Sequence, residues 1–200
     1  MQKGKLLFVL GGARSGKSTF AEKLAKNFNR DVIYIATFPG DDDPEMQKRI
    51  EKHKEMRSSN WKTLEIRDID NIILGIEKNK IKNSVIIIEC LTILTSNLLM
   101  KKEGARDDEK IITEIQELSG FIKNNKTNSG NVYIIVSNEV GQGIVPANEI
   151  ARRYRDVLGF ANQLMAKNAD EFYVMFAGVP VDVKKLANYI NIKTHPKCPP

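Results

Sequence analysis

Cysteine and histidine are scarce in this chain, with two of each among 200 residues. Cys90 and Cys198 cannot build a disulfide framework, so a reducing, cytoplasmic setting is expected. His195 and Cys198 near the end are too sparse for a zinc site and read as a frayed terminus. Long apolar runs are also missing. No segment approaches the ~18 residues that cross a bilayer, so no membrane insertion is expected. The run after Lys3 and Lys5 is only Leu6-Leu7-Phe8-Val9-Leu10, shorter than the core of a signal peptide. Charge of one sign is not blocked either. The excess of +6 is spread along the chain, without the interleaved aromatic and basic residues of a nucleic-acid groove, so no nucleic-acid partner is expected. No Asn-Lys-x-Asp quartet reads guanine, which argues against a GTP-dependent switch protein. Internal repeats, low-complexity tracts and linkers are absent too, which leaves one domain over residues 1–200, with 185–200 a tail of uncertain order.

What is present begins with Leu6 to Ser18, LLFVLGGARSGKS. The apolar run ends at a glycine pair, and Gly11, four residues, Gly16, Lys17 and Ser18 complete the G-x-x-x-x-G-K-[ST] pattern. Glycines let the backbone curl so that successive N–H groups face one phosphate-sized hollow. Lys17 then reaches the β and γ phosphates, and the Ser18 hydroxyl is placed to ligate Mg²⁺. Phe20, Leu24 and Phe28 follow at helical spacing, so a helix opens on the loop and adds its positive dipole end.

Buried strands and amphipathic helices alternate through the rest. Val32 to Ala36 predicts a second strand, whose polar end, Thr37, is either a nucleotide contact or a strand-end cap. Trp61 to Glu65 predicts a short edge strand or loop, and Ile69 to Lys78 a helix. Val85 to Ile88 is a fully apolar strand closed by Glu89, which either holds Mg²⁺ directly or through water or is a strand-end cap. Helices are expected over Leu91–Met100 and Asp107–Asn124, then a polar loop to Gly130 and a strand over Val132–Val136. The Gly-punctuated stretch Ser137 to Pro146 sits where a second substrate is expected. A helix over about 148–167 carries Arg152, Arg153, Arg155 and Asp156, and Phe172–Phe176 is the last strand. The alternation predicts an α/β fold with a mostly parallel sheet covered by helices on both faces.

One histidine stands out. Asp43-Pro44 is a good helix start, and a helix to about Arg57 puts Met46, Ile50, His53 and Arg57 on one face, with Arg49 four residues before His53. Flanking arginines disfavour the imidazolium, which keeps a nucleophilic nitrogen available, and they can hold phosphate oxygens. A packed or surface histidine would fit the same spacing.

In order along the chain, several motifs carry a resemblance. They are Gly11-Gly12-Ala13-Arg14-Ser15-Gly16-Lys17-Ser18, Tyr34-Ile35-Ala36-Thr37, Glu45-Met46 with Arg49-Ile50 and His53, Arg57, and Trp61 to Glu65. Glu89-Cys90, Asn97-Leu98-Leu99, Asn138-Glu139-Val140-Gly141, Ile144-Val145-Pro146, Arg155-Asp156, Asn162-Gln163 and Ala169-Asp170 continue the set. The chain resembles the bifunctional adenosylcobinamide kinase/adenosylcobinamide-phosphate guanylyltransferase family of cobalamin biosynthesis. That resemblance implies a three-layer P-loop NTPase fold of the RecA type, a homotrimer and a cytoplasmic location. It implies phosphorylation of the aminopropanol hydroxyl of adenosylcobinamide by ATP or GTP with Mg²⁺. Transfer of GMP from GTP to adenosylcobinamide phosphate follows, through a guanylyl adduct on the histidine matching His53. Implied nucleotide contacts are Gly11, Gly12, Ala13, Arg14, Ser15, Gly16, Lys17, Ser18, Thr37, Lys54, Glu55, Met56, Arg57, Glu65 and Glu89. Ser18 and Glu89 are the implied metal ligands, and Lys17 and His53 the catalytic residues. Two departures stand out: Ser58-Ser59 follows Arg57 where the family commonly has proline, and nothing diagnostic lies beyond about Lys184. A plain small-molecule P-loop kinase and a RecA-like nucleic-acid-binding ATPase are the alternatives.

Overall fold

The computed structural model describes residues 3–38, 51, 58–100 and 107–189. In chain order these form β1 (Lys5–Gly11), α1 (Lys17–Lys26), β2 (Val32–Ala36), β3 (Lys62–Glu65), α2 (Ile69–Lys78) and β4 (Val85–Glu89). Then come α3 (Leu91–Leu99), α4 (Asp108–Ser129), β5 (Val132–Asn138), α5 (Glu149–Asn168), β6 (Glu171–Phe176), β7 (Val179–Asp182) and α6 (Val183–Tyr189). The strands make one sheet in the order β3-β2-β4-β5-β1-β6-β7. The pairs from β3 through β6 are parallel and only β6–β7 is antiparallel. All parallel strands therefore present their carboxyl ends on one edge. Of the helix expected over Asp43–Arg57 only Glu51 is described, and it is helical, while Arg49, His53, Lys54, Glu55, Met56 and Arg57 lie outside the described residues. Of the expected tail over 185–200, residues 185–189 belong to α6 and the rest lies outside the described residues.

Alternation along each strand divides the core. Leu7, Val9, Tyr34, Ile87, Ile134 and Val136 face Ala21 and Ala25 of α1. Leu6, Phe8, Ile33, Ile35, Ile86, Ile88 and Ile135 face the apolar stripes of α2, α3, α4 and α5. Both faces are covered, and the central strands are apolar on both sides as buried parallel strands must be. Among the described residues no helix is long and apolar enough to cross a membrane.

Two expectations are corrected here. The polar stretch Asn124–Gly130 is not a loop, because α4 continues through Ser129 and stops at Gly130, whose φ of 71° is the left-handed conformation glycine adopts freely. Tertiary hydrogen bonds outweigh weak helix propensity there. Asn125 Oδ1 accepts from Ser129 Oγ at 2.8 Å, Asn131 Nδ2 at 3.0 Å and Tyr133 Oη at 2.7 Å, so the helix end is tied to β5. Second, β6 is not the last strand. β7 returns antiparallel through a two-residue turn, Ala177-Gly178, with φ of 48° and 87°. Both residues at positive φ is the hairpin turn usually signalled by Asn-Gly, and Ala-Gly hides that signal. Pro180 is tolerated because β7 is an edge strand.

Asp170, at the opposite, amino edge, is a structural residue. It exchanges two hydrogen bonds with Leu6, its N–H donating to the Leu6 carbonyl and its carboxylate accepting from the Leu6 amide, each at 2.7 Å. Lys126 of α4 also donates to that carboxylate at 2.5 Å, so one side chain joins β1, α4 and the start of β6.

Candidate active site at the carboxyl edge of the sheet

β1 ends at Gly11, and the chain turns through Gly12 to Gly16 before α1 begins at Lys17. Gly16, at φ 90°, is the N-cap residue of α1 and offers no side chain to the helix amides. By contrast Asp68, Asp107 and Asn148 cap α2, α4 and α5 with their side chains. No acidic residue stands in the first turn of α1. Its leading N–H groups thus keep their positive end for an anion. Gly12, Ala13 and Arg14 are exposed at the crest of the loop, whereas Ser15 and Lys17 are buried.

Glycine is required at Gly11 for space. A Cβ there would stand 2.7 Å from Ser15 Oγ and 2.9 Å from the Met175 carbonyl oxygen of β6. The β6–β7 turn braces the loop from the same side, since the Gly178 amide donates to the Ser15 carbonyl at 3.0 Å. Gly178 also lies 3.4 Å from where a Cβ on Gly16 would be. No pattern in the sequence announces this brace.

Lys17 folds its ammonium along the loop, donating to the Gly12 carbonyl at 2.5 Å and to Ser15 Oγ at 3.5 Å. Burial lowers its pKa below the ordinary lysine value, against the opposing pull of the Glu89 carboxylate. Ser18 Oγ donates to Glu89 Oε1, bringing the two expected metal ligands into direct contact. The second oxygen, Glu89 Oε2, accepts from Tyr34 Oη at 2.6 Å. Tyr34 is thus a site residue that its apolar surroundings in the sequence assign only to the strand core.

Thr37 is fully buried, and its hydroxyl both donates to the Cys90 carbonyl at 2.9 Å and accepts from the Cys90 amide at 2.7 Å. Of its two readings, the strand-end cap is the one with visible contacts. Asn97 Nδ2 donates to the Thr37 carbonyl at 2.9 Å and to the Arg67 carbonyl at 3.0 Å, binding α3 to the end of β2. The Cys90 thiol accepts from the Ile93 amide at 3.4 Å and is pushed by burial up to about 11, so it caps α3 and stays neutral. Glu65 is exposed at the end of β3. Its register with Ala36, and that of Ala36 with Glu89, sets both carboxylates in one row across the sheet. They are two strands apart, on the order of 10 Å.

β5 lies between the Glu89 strand and the loop strand. Its end is held by a buried polar cluster. Thr92 Oγ1 accepts from the Asn138 amide at 2.7 Å, Ser137 Oγ donates to Asn162 Oδ1 at 2.7 Å, and Asn162 Nδ2 donates to the Asn138 carbonyl at 3.1 Å. The Glu139 amide then donates to the Gly11 carbonyl at 3.1 Å, tying the following loop to the phosphate loop. Among the described residues no cluster of three or more His, Cys, Asp or Glu side chains could hold a metal by itself. Any cation here would be held by few protein oxygens together with phosphates and water.

The chain matches the family model for cobinamide kinase / cobinamide phosphate guanyltransferase over residues 7–183. It is 38% identical over 189 residues to the bifunctional adenosylcobalamin biosynthesis protein CobU of Salmonella typhimurium, covering 90% of this chain and 99% of that protein. Similarity to the bifunctional adenosylcobalamin biosynthesis protein CobP of Pseudomonas aeruginosa is 35% over 179 residues, or 88% and 95% of the two chains. In structure it is similar to the RadB recombinase, with a TM-score of 0.52 over 86% of this chain and 74% of that one. At 14% identity that likeness speaks for the fold alone, a P-loop α/β fold of RecA type. The phosphate loop, the carboxylate on a neighbouring strand and the match along nearly the whole chain agree: the chain belongs to the cobinamide kinase / cobinamide phosphate guanyltransferase family, a bifunctional enzyme of adenosylcobalamin biosynthesis.

Proposed function

We propose that one nucleotide site, the loop Gly11–Ser18, serves both reactions, with Mg²⁺ held by Ser18 and Glu89 and with His53 as the carrier of GMP. The observation that carries this reading is the direct contact of Ser18 Oγ with Glu89 at the mouth of a loop whose lysine is buried. Magnesium prefers hard oxygen donors and keeps several waters, and a serine hydroxyl plus one carboxylate suit it. When bound, the cation supplies charge neutralisation at the β and γ phosphates.

The chain's own groups do the remainder. Lys17 leaves the Gly12 carbonyl for a phosphate oxygen, and the loop and α1 amides donate to the remaining phosphate oxygens. Tyr34 keeps Glu89 oriented. In the kinase reaction the cobinamide hydroxyl attacks the γ-phosphorus of ATP or GTP. In the transferase reaction a nitrogen of His53 attacks the α-phosphorus of GTP and pyrophosphate leaves, with Lys17 stabilising the charge on it. Cobinamide phosphate then takes GMP from the histidine. Arg49 and Arg57 neutralise the transferring oxygens, and Lys54, Glu55, Met56, Glu65 and Thr37 belong to the nucleotide's surroundings. β2 runs out at the same carboxyl edge as the loop, and His53 follows it in the sequence, which supports this assignment over a histidine with a purely structural role. We further propose a cytoplasmic homotrimer.

Incubation with α-labelled GTP tests the scheme. Acid-labile, alkali-stable label on the protein, lost in His53→Ala, is expected. Turnover without any adduct would reduce the scheme to a plain kinase.

A further inference from the structure

A second acidic residue, Glu139, leaves the sheet next to the start of the phosphate loop, and the scheme above gives it no task. Gly11 and Asn138 are the last register pair of β1 and β5, so Glu139 leaves the sheet where the phosphate loop does, held there through its amide on the Gly11 carbonyl. Its side chain is half-buried. Glu139 Oε1 accepts from the Gly141 amide at 2.5 Å, and among the described residues Oε2 takes no hydrogen bond from the protein. The loop that follows is gripped at both ends. Thr92 and Asn162 hold Asn138, while Arg152 donates to the carbonyls of Pro146 at 3.0 Å and Ala147 at 2.6 Å. Glu89 is a poorer candidate for proton chemistry, since Ser18 and Tyr34 occupy both its oxygens and the scheme gives it to the cation.

We propose that Glu139 is the general base of the kinase step, its Oε2 accepting the proton of the cobinamide hydroxyl. The O–H bond breaks as the proton passes to the carboxylate. The freed electron pair forms the new bond to the γ-phosphorus. The bond from that phosphorus to the β–γ bridging oxygen breaks, and the nucleoside diphosphate leaves with its electrons. The proton on Glu139 returns to water after product release.

The two reactions differ in what they ask of this residue. A hydroxyl must lose a proton to become a phosphate ester, whereas cobinamide phosphate is already ionised near neutral pH and attacks the guanylyl group without a base. Loss of the Glu139 charge should therefore harm the first reaction alone. This inference rests on the proposed function, which gives Glu89 to the cation.

The test is Glu139→Gln, which keeps an oxygen for the Gly141 amide and removes only the charge. Phosphorylation of cobinamide by ATP and GMP transfer to pre-phosphorylated cobinamide are measured separately. The kinase kcat should fall about 100-fold or more, the KM for ATP should hold, and GMP transfer should stay within about twofold. Glu139→Asp should retain more kinase activity than Glu139→Gln. An unchanged kinase kcat, an equal loss in both reactions, or an Asp variant no better than the Gln variant would each overturn the proposal. A wild-type enzyme unable to carry out one of the two reactions would count instead against the two-reaction scheme.

Discussion

Lys17 shows how one side chain is made useful by being made uncomfortable. Burial disfavours its charge, so the folded protein lowers its pKa; under the proposed scheme an arriving triphosphate restores the preference for the ammonium. Nucleotide affinity should therefore decline as pH rises through that lowered pKa, starting below the pH at which an ordinary lysine deprotonates. Titrating the dissociation constant from neutral into alkaline solution checks this. Lys17→Arg, charged throughout, should show a flat profile. Lys17→Ala should lose both reactions by about 100-fold or more, since the leaving phosphates of each lose their counter-charge. Retention of either would mean that the two do not share the loop. Tyr34 acts more gently. Removing its hydroxyl in Tyr34→Phe costs one hydrogen bond to a carboxylate, and we expect a rise in the Mg²⁺ concentration needed for half-maximal rate of roughly tenfold at most.

Elements far from the chemistry fix its geometry, and the β6–β7 hairpin is the plainest case. Gly178 sits at φ 87°, and a Cβ added there would meet no atom within 4 Å, so a substitution strains the backbone without a clash. Gly178→Val should displace the turn and raise the nucleotide KM in both reactions, while Gly178→Asn, which accepts positive φ more readily, should do so less. Equal effects of the two would refute the brace. At the amino edge, burial pushes the Asp170 pKa up, but the hydrogen bonds from Lys126 and Leu6 outweigh it and hold the carboxyl below its ordinary value. A carboxylate lowered in the folded state stabilises above its unfolded pKa, and that stability is lost as pH falls through and below about 4. Because the carboxylate is partly exposed and screened by water, Asp170→Asn should cost only about 0.5–1.5 kcal/mol at neutral pH, a Tm drop of roughly 1–6 °C by thermal denaturation, with activity at low temperature kept. Legibility follows from range. The loop Gly11–Ser18 and Glu89 can be read because each is a contiguous pattern with its strand attached. The brace cannot, because Ala-Gly conceals the turn, and neither can the meeting of Glu139 with Gly11, because no pattern in the chain says that β5 lies beside β1. The Ser137–Pro146 stretch is legible as a loop at the carboxyl end of a strand, but the contacts its residues make are not.

At the scale of the molecule, strand order is what makes one site out of distant segments. Placing β5 between β4 and β1 sets Glu89, Glu139 and the phosphate loop on adjacent strand ends, and tight hydrogen bonding from Asn97 through Thr37, Cys90 and Thr92 to Asn162 keeps those ends in register. If both reactions use the one cradle proposed, ATP and GTP compete for it, and a non-hydrolysable analogue of either should inhibit both reactions with one inhibition constant. The measurement that bears most directly on the shared site is mass spectrometry of the protein after exposure to GTP and Mg²⁺. We expect one added guanylyl group, located on His53 by peptide mapping, absent in Lys17→Ala and discharged by cobinamide phosphate. A protein that turns over GTP and cobinamide phosphate while carrying no adduct, or carrying it on another residue, would contradict that expectation.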